Sequence, residues 1–162
     1  MVKKEAREPV PVCQVAPSLL PFVLVGVVGI VAGGLVAAVS RPLGWDHGSW
    51  ASAYLVLVVG VAQIGLGAGQ AAFATSTVPK SRIQAQLALV NGASALVIGG
   101  TLLDSPITVT VGCALFVAAL VLFASSAATG GVERSFRLLY VALLVLLIVS
   151  TPVGIALSWL RA

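Results

Sequence analysis

Charge is what this chain has least of. Of its 162 residues, 9% are Asp, Glu, Lys or Arg, and only five residues are acidic. A soluble domain carries about 25%. There is a single histidine, His47, and there are two cysteines, Cys13 and Cys113. Each scarcity removes a class of function. The cysteines lie a hundred residues apart, one in a polar tail and one inside an apolar run, so no disulfide is expected between them. Neither has a second cysteine or a histidine at metal-ligand spacing, and no metal site is expected. No carboxylate pair and no nucleophile with an adjacent base can be gathered on one side, which argues against a hydrolase and against an enzyme generally. There is no Walker loop, no GxGxxG that opens a helix after a strand, and no HExxH. No internal repeat is evident.

What the chain has instead is long apolar runs. Hydrophobic residues make up 59% of it, against about 45–50% in a soluble domain. They come in blocks near the roughly 20 residues that cross a hydrocarbon core of about 30 Å. The expected fold is therefore all-α and integral to a membrane: a bundle of five transmembrane helices. The spans are expected at about 18–39, 50–73, 83–103, 107–128 and 138–160, after a flexible cytoplasmic tail over 1–17. Residues 18–162 then form a single membrane domain. The first run follows Lys3-Lys4, and Ala38-Val39-Ser40 resembles a cleavage site, but its apolar part exceeds the 7–15 residues of a cleaved signal. It is expected to stay.

Basic residues set the orientation. With the N-terminus in the cytoplasm, Lys3, Lys4, Arg7, Lys80, Arg82, Arg134 and Arg137 are cytoplasmic, and only Arg41 and Arg161 are outside. Seven against two is the positive-inside pattern, and it places the C-terminus outside. The net charge of +4 thus reads as topology and headgroup contact, not as nucleic-acid binding. Richness in Ala, Val, Leu and Gly with few lysines is the usage of a high-GC bacterium, so the expected location is a bacterial inner (plasma) membrane.

The loop RPLGWDHGSW, residues 41–50, holds His47, Asp46, Trp45 and Trp50. Trp45, Trp50 and Trp159 are expected as anchors in the headgroup belt of one face. Pro42 and Gly44 end the first helix, and Asp46 or Ser49 is expected to cap the second. Asp104 or Ser105 is expected to cap the fourth helix, with Pro106 in its first turn. Ser81 is expected to cap the third. His47 is the one candidate for a cofactor, either haem or a quinone. It would need a second ligand from another copy or another subunit, and the plain alternative is an interfacial residue bonded to lipid, water or a neighbouring loop.

No ionisable residue falls inside the expected spans, which speaks against a pump, a proton-coupled transporter or a voltage sensor. The polar residues inside the spans are amides, arranged in stripes with small residues. On the second helix the stripe is Gly60, Gln63, Gly67 and Gln70; on the third it is Gln84, Ala88, Asn91, Ala95 and Gly99; on the first it is Gly29, Gly33 and Ala37. Helices in lipid associate through close backbone approach and interhelical hydrogen bonds, so these stripes are expected to pack helices one to three, with Gln63 and Asn91 as polar contacts. A functional alternative makes the same amides line a small polar pocket. The fifth helix, bulky on all sides and interrupted by Pro152, is expected at the periphery.

Three functions fit these residues. The first is a non-catalytic accessory or assembly subunit of a larger membrane complex, for example a respiratory oxidoreductase, its partners being lipid and either other integral subunits or further copies of itself. The second is a small channel or carrier for a neutral or hydrophobic solute. The third is a haem- or quinone-binding redox protein that uses His47.

Overall fold

The computed structural model of the protein describes residues 18–73, 78–127 and 134–161. All its regular elements are helical: α1 Leu20–Ser40, α2 Gly48–Phe73, α3 Lys80–Leu102, α4 Pro106–Ala127 and α5 Arg134–Arg161. All five are long and apolar enough to cross a membrane, consistent with a multi-pass membrane protein. The outer surface carries leucine, valine and isoleucine along α1, α2, α4 and α5. A water-soluble monomer does not expose continuous apolar surface on that scale. The expected tail, 1–17, and parts of the two expected loops, 74–77 and 128–133, lie outside the described residues.

Successive helices run antiparallel. Helix α1 lies on α2 with its glycines against backbone. A Cβ on Gly29 would stand 3.2 Å from the Gly60 nitrogen, and one on Gly33 would stand 2.9 Å from the Ser52 carbonyl oxygen. The Ser52 hydroxyl closes this seam by donating to the Gly33 carbonyl at 2.9 Å. Helices α3 and α4 repeat the device: a Cβ on Gly112 would lie 3.0 Å from the Ala93 carbonyl oxygen, and one on Gly100 would lie 2.8 Å from the Val109 nitrogen. Lipid offers helices no net hydrophobic drive to associate, and dispersion at such short range is what holds helices together there. A common core joins the two pairs. Phe22 of α1 meets Phe123 of α4 edge to face at 5.5 Å, and Leu66, Val90, Ala119 and Leu120 fill the space around them.

Helix α5 uses the reverse arrangement. Its bulky Tyr140 and Leu143 press into Gly65 and Gly69 of α2, and Tyr140, Leu144 and Leu147 are buried. The rest of α5 is largely exposed, in keeping with its expected peripheral place. It runs straight through Pro152 as one helix. One turn earlier, the Ser150 and Thr151 hydroxyls donate to the Leu147 carbonyl at 2.8 and 2.9 Å.

Several expectations need correction. Helix α3 begins at Lys80, with Pro79 at the cap position, so Ser81 lies inside the first turn and caps nothing. Helix α5 likewise begins a turn early, at Arg134. Lysine and arginine are good helix formers, and at a helix end their stems can reach polar surroundings. The position before α2 is occupied by His47, not Asp46, and neither Asp46 nor Ser49 gives a capping bond. The middle of α2, Leu55–Ala62, is π-helical, which the apolar run LVLVVGVA does not signal.

The glycine seam makes a sharp prediction. Gly33→Ala should lower stability by about 1–3 kcal/mol, because its new methyl meets backbone that cannot yield cheaply. Gly34→Ala, where a Cβ meets nothing within 4 Å, should leave stability unchanged or raise it by up to about 1 kcal/mol. Thermal melting of the purified protein in detergent, followed by far-UV circular dichroism, distinguishes these adjacent and chemically identical changes.

Candidate functional site

Two turns of matching geometry stand at one end of the bundle. Helix α1 stops with Gly44 at φ 60°, and the Trp45 N–H reaches back to the Ser40 carbonyl at 3.0 Å. Helix α3 stops with Asp104 at φ 48°, and the Ser105 N–H reaches back to the Gly100 carbonyl at 2.8 Å. Both are left-handed C-terminal closures in which a bond spanning six residues satisfies an otherwise orphan carbonyl. Glycine is the usual residue at the left-handed position, since a Cβ there costs on the order of 1 kcal/mol. The first turn has it; the second has an aspartate. Ser105 then opens α4, its hydroxyl 2.9 Å from that of Thr108, and Pro106 begins the helix as expected. Asp104 therefore does not cap α4. It ends α3.

Beside the second of these turns lies a cavity of about 350 Å³, within the usual range of small-molecule sites, about 300–1,000 Å³. Four helices wall it. Helix α2 contributes Trp50, Tyr54 and Val58, with His47 at its start. Helix α3 contributes Val97, Gly100 and Thr101, and the turn contributes Asp104 and Ser105. Val109, Cys113 and Phe116 of α4 form the floor, and α5 closes the side with residues from Leu147 to Ser158. The sequence order has a plain consequence: polar groups from the turns and helix ends gather at the mouth, and apolar groups from the helix interiors gather at depth. Trp50 and Tyr54 stand side by side with ring centroids 5.5 Å apart. The cavity wall from Trp50 to Val58 overlaps the π-helical stretch, whose wider turn shifts α2's register within the helix; such stretches are frequent at functional sites.

A second polar feature is sealed inside. Gln63 and Gln86 are 0% exposed and Gln70 is 1% exposed. The Gln86 amide donates to the Gln70 amide oxygen at 2.6 Å, joining α3 to α2. Both amide atoms of Gln63, the Gln70 nitrogen, the Gln86 oxygen and the Tyr140 hydroxyl find no hydrogen-bond partner among the described residues. These groups can donate and accept hydrogen bonds but carry no charge, so what they can hold is neutral and polar.

The residues singled out by sequence are now placed. Gly29, Gly33 and Gly60 meet across the α1–α2 seam, and Gly67 receives the Phe22 side chain. Gln63 and Gln70 are buried. The α3 stripe is on the other side of its helix: Gln84, Ala88 and Ala95 are exposed, Asn91 and Gly99 half-buried. Asn91 donates to the Leu87 carbonyl of its own helix at 2.8 Å, not across to another helix. The polar contact expected of Gln63 and Asn91 is made by Gln70 and Gln86 instead, and Gln63 is buried without a hydrogen-bond partner among the described residues. The buried face of α3 is Ile83, Gln86, Val90, Ala93, Ser94, Val97 and Gly100, and it packs chiefly on α4, so the core is not confined to helices one to three. His47 and Trp50 line the cavity, Trp45 stands exposed in the adjoining turn, and the Trp159 indole N–H points to the Thr110 hydroxyl at 3.4 Å, so all three tryptophans share this end. Cys113 is buried, as expected of a small apolar residue. Among the described residues, no three His, Cys, Asp or Glu side chains gather as a metal site. The cavity itself was not legible, because its mouth is assembled from residues distant in sequence.

Comparison with protein-family models, curated proteins and solved structures finds no match to this chain.

The amide pair yields a prediction of its own. Gln70→Leu or Gln86→Leu alone should cost about 1–3 kcal/mol, since each strands the other amide in the core. The double variant should cost clearly less than the sum of the two. Reversible unfolding in mixed detergent micelles gives the three values, and strict additivity would show that the two amides do not cooperate.

Proposed function

We propose that the protein is a non-catalytic accessory or assembly subunit of a larger complex in a bacterial inner membrane, with its N-terminus cytoplasmic, and that α3 is the helix it presents to a neighbouring subunit. The observation that carries this reading is the outward direction of the α3 stripe. Gln84, Ala88, Ala95 and, in part, Asn91 and Gly99 face away from this chain's own core. In hydrocarbon an exposed amide has no water to bond, and a row of small residues gives lipid tails little to pack on. Both become favourable against another helix, which can approach closely and bond to Gln84 and Asn91. The α1 and α5 surfaces, by contrast, present leucine, valine and isoleucine suited to lipid. The seven-to-two distribution of basic residues supports the orientation.

A second reading, a carrier for a neutral or hydrophobic solute, draws on the cavity and the buried amides. Under it, flux into liposomes depends on Gln63 and Gln70. Asn91 has no part in such a path, because it lies on the outer face of α3.

Affinity purification from native membranes tests the first reading. The tagged protein is expected to bring down a stoichiometric integral membrane neighbour, cross-linkable through a photoreactive residue at position 88. The variant Gln84→Leu/Asn91→Leu/Ala95→Leu should lose that neighbour at least tenfold while its melting temperature holds. A protein that runs alone as a monomer and cross-links to nothing would refute the subunit reading.

A further inference from the structure

We propose that the cavity beside the turn after α3 binds an amphipathic organic cation: an ammonium group carried on a compact apolar body. This goes beyond the subunit reading and does not depend on it.

The argument starts from Asp104. It occupies a left-handed turn position, φ 48°, that glycine fills in the matching turn at the same end of the bundle. An aspartate is the costlier residue for that backbone, so the turn alone does not account for it. What the aspartate adds is a carboxylate at the mouth of the cavity. Among the described residues that line the cavity there is no lysine or arginine, and Asp104 is the only acidic group. The site therefore offers one carboxylate, with His47 as the only basic side chain beside it in the lining.

The remaining walls complete the chemistry. Trp50 and Tyr54 place two aromatic rings within 5.5 Å of each other along one side. Aromatic faces attract ammonium groups, and quaternary ammonium ions most characteristically. Thr101 and Ser105 add hydroxyls near the turn. Below them the floor is Val97, Val109, Cys113 and Phe116, which excludes a second charge and suits an alkyl or ring body. The volume of 350 Å³ holds about a dozen water-sized groups, enough for a trimethylammonium head and a short chain but not for a whole diacyl lipid. Two sources share this chemistry: the ammonium headgroup of a membrane lipid that inserts from the mouth, and a free amphipathic amine.

The probe is octyltrimethylammonium, titrated calorimetrically into the full-length protein in phosphatidylglycerol nanodiscs, with empty nanodiscs subtracted. A saturable one-to-one component is expected. Asp104→Asn, which keeps a side chain that tolerates the left-handed conformation but removes its charge, should weaken it at least tenfold. Asp104→Gly should weaken it equally while leaving the melting temperature unchanged or higher, so lost binding cannot be ascribed to lost folding. Repeating the titration in nanodiscs of equal phosphatidylglycerol content, with the remaining lipid either phosphatidylcholine or uncharged diacylglycerol, separates the sources at matched surface charge: a lower apparent affinity with phosphatidylcholine assigns the site to lipid headgroups, and an unchanged one assigns it to a free amine. Absence of a saturable component, or the same affinity in wild type and Asp104→Asn, would overturn the proposal.

Discussion

Helix α2 is gripped on two sides by contacts that only a missing Cβ permits, and the rest of the bundle is arranged around that fact. On one side Gly60 and Gly67 admit Ile30 and Phe22 of α1; on another Gly65 and Gly69 admit Leu143 and Tyr140 of α5. The third side carries Gln70, which bonds to α3. Helices in a bilayer have no solvent to drive apolar surfaces together, and there short-range dispersion and a few buried hydrogen bonds do the holding. A helix held from three directions is the fixed post of the structure. The other helices adapt to it, α5 by supplying bulk where α2 supplies none.

The same grip explains why the cavity lies where it does. The small residues that bring α5 onto α2, Gly65 and Gly69, belong to the half of α2 nearer the amide pair. In the other half, α2 presents Tyr54 and Trp50, which line the cavity and pack on Val97, Val109 and Cys113. The π-helical stretch Leu55–Ala62 lies at the change from one regime to the other. By shifting register within a continuous helix, it lets the glycine faces keep their partners while Trp50 and Tyr54 turn toward the opening.

How much of this was legible in the sequence follows from the physics of apolar helices. Five spans, their order and the Pro106 start of α4 can be read, because length, hydropathy and proline geometry are local properties. The Gly29–Gly33 seam can be read too, since small residues one turn apart have few other uses. The direction of α3 cannot. Its polar and small residues occur on both faces, Gln84 and Asn91 on one and Gln86 and Ser94 on the other, and both faces are otherwise apolar. In a soluble helix polarity would mark the outside; in an apolar solvent that mark is gone, so a polar stripe can face the core or a neighbour equally well. The fold breaks the tie. Gln86 meets Gln70, and the outward stripe is left for whatever lies beyond the chain.

Asp104 shows where local rules and tertiary purpose separate. The turn after α3 is short, and its closing bond from Ser105 to Gly100 fixes a left-handed residue between them. Local chemistry would choose glycine, as it does at Gly44. Residue choices that agree with the backbone need no further explanation; one that opposes it, beside a cavity, points to a gain realised elsewhere in the molecule. Asn or Asp could both bear the backbone, but only Asp brings charge, and charge near a low-dielectric lining acts more strongly than in water. Asp104, on an exposed turn, is the one acidic group of a lining that is otherwise mostly apolar and aromatic, so that carboxylate sets the sign of what the cavity accepts.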